Sequence, residues 1–220
     1  VLNALRVYAQ GNGDKGSLTW EPVGQVIDAL DAAFYLAFGY VQPTNKRLLL
    51  ALDISASMDG SKIAGTALTA REASAALALV TASVEPNYAM IGFTSSGRCG
   101  YYQFGVTELA ISPRQRLDDV VRYLAALPMG ATDCALPMLY ASAKKMDVDA
   151  FAVFTDNETW AGTIHPKQAL RDYRAQRVAS ARSVVVGMTA TQFSIADPAD
   201  PLSLDVVGFD LATPQAISAF

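Results

Sequence analysis

Residues 48 to 58, LLLALDISASM, stay apolar almost without a break and then stop at an acid followed by two alternating serines. A run of that kind predicts a strand buried on both faces, the type found in parallel sheets covered by helices. The polar residues then fall at its carboxyl end, where such sheets bind ligands. Further strands are predicted at Tyr88–Phe93, Gly100–Phe104, Ala150–Thr155, Ser183–Met188 and Asp205–Phe209, with the first extended to Arg47–Ile54. Helical periodicity fits between them: Thr69–Val84 is Ala/Leu-rich, Pro113–Leu127 is amphipathic, Ala135–Lys145 follows a Gly-Ala-Thr loop, Pro166–Gln176 opens on proline, and Thr213–Phe220 closes the chain. The alternation predicts βαβ units and an α/β fold. Its sheet is mostly parallel and doubly wound, flanked by helices, with one short antiparallel edge strand near Gly100–Phe104.

The first 45 residues differ in character. LNALRVYAQ reads as a short amphipathic helix and GNGDKGS as a glycine-rich loop. TWEP is expected to open a second helix with Pro22 in its first turn, where a missing N–H costs nothing. Its apolar face is Val23, Val26, Ile27, Leu30, Phe34, Ala37 and Phe38, ended by Gly39 and Pro43. The expected division is a helical extension over 1–45 and an α/β domain over 46–220. The acidic, proline-bearing ADPADP, 196–201, reads as a surface loop before the last strand.

At 220 residues, 51% hydrophobic and 17% charged, the chain is long enough for one α/β domain with an added element. No run of about 18 uncharged apolar residues is present, so no spanning helix and a cytoplasmic location are expected. A start at Val1 rather than Met suggests processing or a piece of a longer protein. Net charge is −4 and the isoelectric point is near 4.9, the wrong sign for gripping a phosphate backbone unaided. Arg98, Arg114, Arg116, Arg122, Arg171, Arg174, Arg177 and Arg182 are read as scattered solvent-facing arginines. Cys99 and Cys134 lack metal-like spacing and are read as reduced thiols.

Oxygen donors gather in three segments at predicted strand ends or helix starts: Asp53-Ile-Ser55-Ala-Ser57, Gly130-Ala-Thr132 and Thr155-Asp156. Two carboxylates and three hydroxyls suit a hard cation such as Mg²⁺, or Mn²⁺ in its place. The neutral hydroxyls leave such an ion under-neutralised and open to a carboxylate from a partner. Competing chemistries fit less well. His165, the only histidine, precedes Pro166 at a helix start, and no G-x-S-x-G elbow accompanies it. A haloacid-type phosphotransferase would want a second carboxylate where Ser55 stands, and no G-x-G-x-x-G follows the first strand. The alternative from another class is a metal-dependent phosphate-ester hydrolase, which would have to bring a base to the ion.

D-x-S-x-S, G-x-T and an apolar strand ending in T-D, in that order, resemble the metal-ion-dependent adhesion site of von Willebrand factor A domains. Asn157 departs from the glycine common after that aspartate, though Asn tolerates left-handed backbone angles. The strings ALDAAFY (29–35), PTNKRLLLALDISASM (43–58), GATDCALPM (130–138), VFTDNETWAGTIHP (153–166) and ALRDYR (169–174) narrow the likeness. Together with ADP and LDVVGFD between 196 and 210 they resemble the carboxyl-terminal part of the Ro autoantigen family. That resemblance implies a metal site at Asp53, Ser55, Ser57, Thr132 and Asp156, with Asp133 supporting its loop or capping a helix. Glu158, Trp160 and Arg171 are candidates for the rim. It further implies a non-enzymatic docking domain within an RNA-binding particle. The RNA-binding ring of helical repeats, which takes Y RNA and misfolded RNA, would lie outside this chain except for its last helices at 1–45. Exoribonuclease partners and roles in RNA quality control, ribosomal RNA maturation and stress survival are implied by the same likeness.

Overall fold

The computed structural model describes residues 1–95, 105–156, 161–189, 195–209 and 212–220. Among the described residues six strands form one sheet: β1 (Leu48–Asp53), β2 (Tyr88–Phe93), β3 (Val106–Glu108), β4 (Ala150–Thr155), β5 (Arg182–Gly187) and β6 (Ser203–Val207), in the order β3-β2-β1-β4-β5-β6. All neighbours pair parallel except β2 and β3, which are antiparallel. The edge strand expected near Gly100–Phe104 thus appears at Val106–Glu108, and 100–104 lie outside the described residues. The chain builds outward from β1 in one direction and from β4 in the other, so the switch point of the topology falls between β1 and β4.

β1 is apolar on both faces because both are covered. Leu48, Leu50 and Leu52 pack with α4 (Ala70–Val84), Phe154 and Val186 on one side. Leu49 and Ala51 join Ile91, Phe93, Phe151 and Val153 on the other, against α6 (Leu136–Ala143) and α7 (Pro166–Gln176). Small side chains let α4 lie close on the sheet, and its start is fixed by a capping box between Thr69 and Glu72. The remaining helices are α3 (Ser57–Gly60), α5 (Leu117–Ala125) and α8 (Thr213–Ala219). Strand β6 begins two residues earlier than its apolar pattern suggests. Asp200 anchors the turn before it, accepting from Leu202 N–H and pairing with Arg174 at 2.6 Å.

The extension carries α1 (Leu2–Ala9) and α2 (Gly24–Leu36). Two expectations about it fail. Pro22 does not enter the first turn of α2, because the segment ahead is held in an extended bridge between Asn12 and Thr19. There Trp20 N–H donates to Gly11 O, and the indole N–H donates to Tyr8 O under a stacked ring pair. The apolar face of α2 is also only partly buried. Phe34 and Phe38 join the core with Leu2 and Leu5, Ile27 and Leu30 pack against it, and Val23 and Val26 are exposed.

Candidate metal centre

Asp53 is the last residue of β1, and Asp156 directly follows β4, so the two carboxylates stand at the carboxyl ends of the strands that flank the switch point. Their residues are 1% and 2% exposed. Asp53 is held from two sides: Oδ1 accepts Ser55 N–H and Oδ2 accepts the Thr155 hydroxyl, each at 2.8 Å. The first bond folds the chain back after β1 and turns Ser55 toward the carboxylate, placing the Ser55 and Ser57 hydroxyls 3.1 Å apart. Ser57 opens α3, so the D-x-S-x-S segment is a strand end, a tight turn and one helical turn.

The loop carrying Thr132 reaches the same end of the sheet from α5. Its backbone is stitched to the end of β2: Asp133 N–H donates to Thr94 O at 3.0 Å, and the Thr94 hydroxyl donates to Ala131 O at 2.8 Å. Gly130 is required for that approach, since a Cβ there would stand 2.7 Å from Thr94 Oγ1. Cys134 Sγ is buried and lies 3.9 Å from the Thr155 hydroxyl that holds Asp53. Thr132 is itself buried, and its carbonyl accepts Ala161 N–H at 3.0 Å. Asp133 takes the supporting role expected of it, with Oδ1 accepting Ala135 N–H at 3.0 Å in the turn that leads into α6. The residues of all five expected donors therefore lie at one end of the sheet. Among the described residues no group of three His, Cys, Asp or Glu side chains is placed to hold a metal, so any ion here would depend on hydroxyls as well as carboxylates.

Burial dominates the electrostatics. It pushes the Asp53 carboxyl up to about 6, opposed by its hydrogen bonds from Ser55 and Thr155 and reinforced by the nearby Asp156 charge. Burial likewise raises Asp133, against the Ala135 N–H. Two crowded, desolvated carboxylates are costly without a cation between or beside them.

Behind this turn lies a group that periodicity alone did not single out. Arg71, in the first turn of α4, is 1% exposed. Its Nε donates to Asp59 Oδ1 at 2.6 Å and an Nη2 hydrogen to Ser55 O at 3.1 Å, while Nη1 is buried with no hydrogen-bond partner. The available signal was an arginine whose helical neighbours three, four and seven residues on, Ser74, Ala75 and Ala78, are all small and buried. His165 caps α7, accepting Lys167 N–H on Nδ1 at 3.2 Å, and so serves helix initiation. Arg171 is exposed and paired with Asp197. Asn157, Glu158, Trp160, Arg98 and Cys99 lie outside the described residues.

The family model "Ro60 vWA domain" matches residues 47–220. The chain is 47% identical to RNA-binding protein RO60 of Deinococcus radiodurans, over 100% of its own length and 40% of that protein's. It is 42% identical to RNA-binding protein RO60 of Caenorhabditis elegans, over 100% of its length and 33% of the relative's. The crystal structure of the Deinococcus radiodurans RO (RSR) protein superposes with a TM-score of 0.80 at 46% identity, covering 99% of this chain and 42% of that one. The chain thus spans less than half the length of these relatives.

Proposed function

The chain belongs to the Ro60 vWA domain family, and on that premise we propose that it is a non-catalytic docking module. It holds Mg²⁺ or Mn²⁺ at Asp53, Ser55, Ser57, Thr132 and Asp156 and leaves one position of the ion open to a partner's carboxylate. The observation that carries this reading is the pair of nearly inaccessible carboxylates at the switch point, with two serine hydroxyls 3.1 Å apart beside them. Asp53 is already engaged by Ser55 and Thr155, so part of its contact with the ion would pass through water. The ion then keeps positive charge that an incoming anion neutralises in a low-dielectric crevice.

Within the whole protein the module serves a particle that acts with Y RNA and misfolded RNA in RNA quality control, ribosomal RNA maturation and stress survival, alongside exoribonucleases in the cytoplasm. RNA is gripped elsewhere than on this chain. The arginine charges support that division. Arg47, Arg116, Arg122, Arg171, Arg174 and Arg177 are all paired with aspartates, which leaves these six with little unbalanced charge for counterion release. No helix among the described residues is long and apolar enough to cross a membrane.

The test uses Mn²⁺ as ion and acetate as partner mimic. Calorimetry should give saturable Mn²⁺ and Mg²⁺ binding, weakened about tenfold or more in Asp53→Ala by loss of a charged ligand. Acetate should then displace water from bound Mn²⁺, lowering water-proton relaxivity. Equal affinity in Asp53→Ala would refute the site, and relaxivity unmoved by acetate would refute the open position.

A further inference from the structure

Beside the candidate metal centre, α6 and the turn at 162–164 enclose a cleft of about 380 Å³. Its walls include Leu136, Leu139, Tyr140 and Ile164, and among the described residues the one charged group of its lining is Asp133. That residue is 3% exposed. Among the described residues its carboxylate receives a single hydrogen bond, from Ala135 N–H to Oδ1, and no cation pairs with it. A buried carboxylate normally has several donors or a counter-charge, because each oxygen carries two lone pairs that water would otherwise satisfy. Here the second oxygen has none of these from the described residues. Gly162, at φ +93°, lets the turn pass directly against the carboxylate, where a Cβ would overlap both oxygens. Ile164 at the rim keeps an exposed apolar surface.

We infer that this cleft is a second recognition site, which takes the lysine or arginine side chain of a partner protein. The apolar walls match an alkyl stem, and the carboxylate at the floor matches the ammonium or guanidinium at its end. A metal ion fits poorly, since the aliphatic lining offers one carboxylate and few further oxygens. Thr132 and Asp133 are adjacent, so the cleft opens next to the proposed ion position. Resting on that reading, the partner segment is defined chemically: one acidic side chain for the ion and one basic side chain for Asp133.

The site can be probed without knowing the partner. Isotope-labelled protein in EDTA is titrated with n-butylguanidinium, n-butylammonium, methylguanidinium and the uncharged control butyramide, and amide shifts are followed. The two butyl cations should move the resonances of Ala135, Leu139, Thr163 and Ile164, with butyramide inert and methylguanidinium at least threefold weaker. Asp133→Asn keeps an acceptor for Ala135 N–H and should weaken the butyl cations at least fivefold. Leu139→Ala should weaken n-butylguanidinium while sparing methylguanidinium. Asp53→Ala should leave all four titrations as in wild type, which separates failure of this cleft from failure of the metal centre. Cation shifts scattered over the surface, absent in wild type, or unchanged in Asp133→Asn would overturn the inference.

Discussion

Arg71 and Asp59 form an ion pair whose two halves should respond very differently to removal. Arg71 is 1% exposed, whereas the Asp59 side chain is 42% exposed. Asp59→Ala leaves a guanidinium inside the protein with Ser55 O as its main remaining oxygen partner. Breaking a buried pair in that sense costs about 3–5 kcal/mol; partial access of water at the vacated position argues for about 3 kcal/mol. Arg71→Met removes the buried charge itself, fills much of the same volume, and lets Asp59 return to solvent. What remains is the lost donor to Ser55 O, about 1 kcal/mol net. The expected difference, about 2 kcal/mol, corresponds to roughly 4–8 °C in Tm for a chain of this length. The double variant should recover to within about 1 kcal/mol of Arg71→Met alone, because the stranded charge is gone. Guanidinium denaturation and calorimetry in EDTA at pH 7.5 measure all four proteins. If Arg71→Met proves as damaging as Asp59→Ala, the cation is earning more from its contacts than its burial costs, and the reasoning fails.

Three further outcomes are expected. With its folded pKa raised to about 6 from an ordinary 3.8, Asp53 favours the metal-free folded state when protonated; that contribution is complete below about pH 4 and is lost as pH rises through about 6. Mg²⁺ should therefore raise Tm more at pH 7.5 than at pH 5.5, and binding at pH 6 should release about half a proton per ion, seen as a buffer-dependent calorimetric enthalpy; an equal Mg²⁺ effect at both pH values would contradict this. Gly162→Ala places a Cβ at φ +93° against the Asp133 carboxylate and should cost about 2 kcal/mol or more by denaturant titration, with a cost under about 0.5 kcal/mol counting against the packing described. The 220-residue chain alone should bind Y RNA weakly in filter or mobility assays at physiological salt, and tight binding would place an RNA surface among its arginines.

Much of the architecture was legible because burial on both faces writes itself into composition. The central strands Tyr88–Phe93 and Ala150–Thr155 and helix Pro166–Gln176 fall where the sequence puts them. Apolar runs bounded by turn residues, and a proline at the first helical position, are local signals. The misplacements have tertiary causes. The start of α2 is displaced by an extended bridge and a stacked Tyr8–Trp20 pair twelve residues apart, and β6 is shifted by Arg174 fastening Asp200 from α7. Neither interaction leaves a mark in the apolar periodicity from which elements are read.

The site divides along the same line. Its five candidate donors could be named from the sequence because strand ends and short spacings mark them, and each lies within or beside a locally readable element. What the sequence could not supply is the neighbourhood that decides their chemistry: Thr155 holding Asp53, Thr94 receiving the Gly130 loop, and Arg71 fixing the turn from behind. These contacts span 16 to 102 positions and follow from which strands become neighbours. They also bear on what a bound ion would do for the fold. Strands β1, β2 and β4 are buried by leucine, phenylalanine and valine side chains on both faces, and the turn after β1 is tied by Ser55 N–H and Arg71. Removing an ion should accordingly disturb the turn and the affinity for a carboxylate far more than the cooperative unfolding of the sheet. A metal that leaves the scaffold standing is suited to capture and release rather than to structural support.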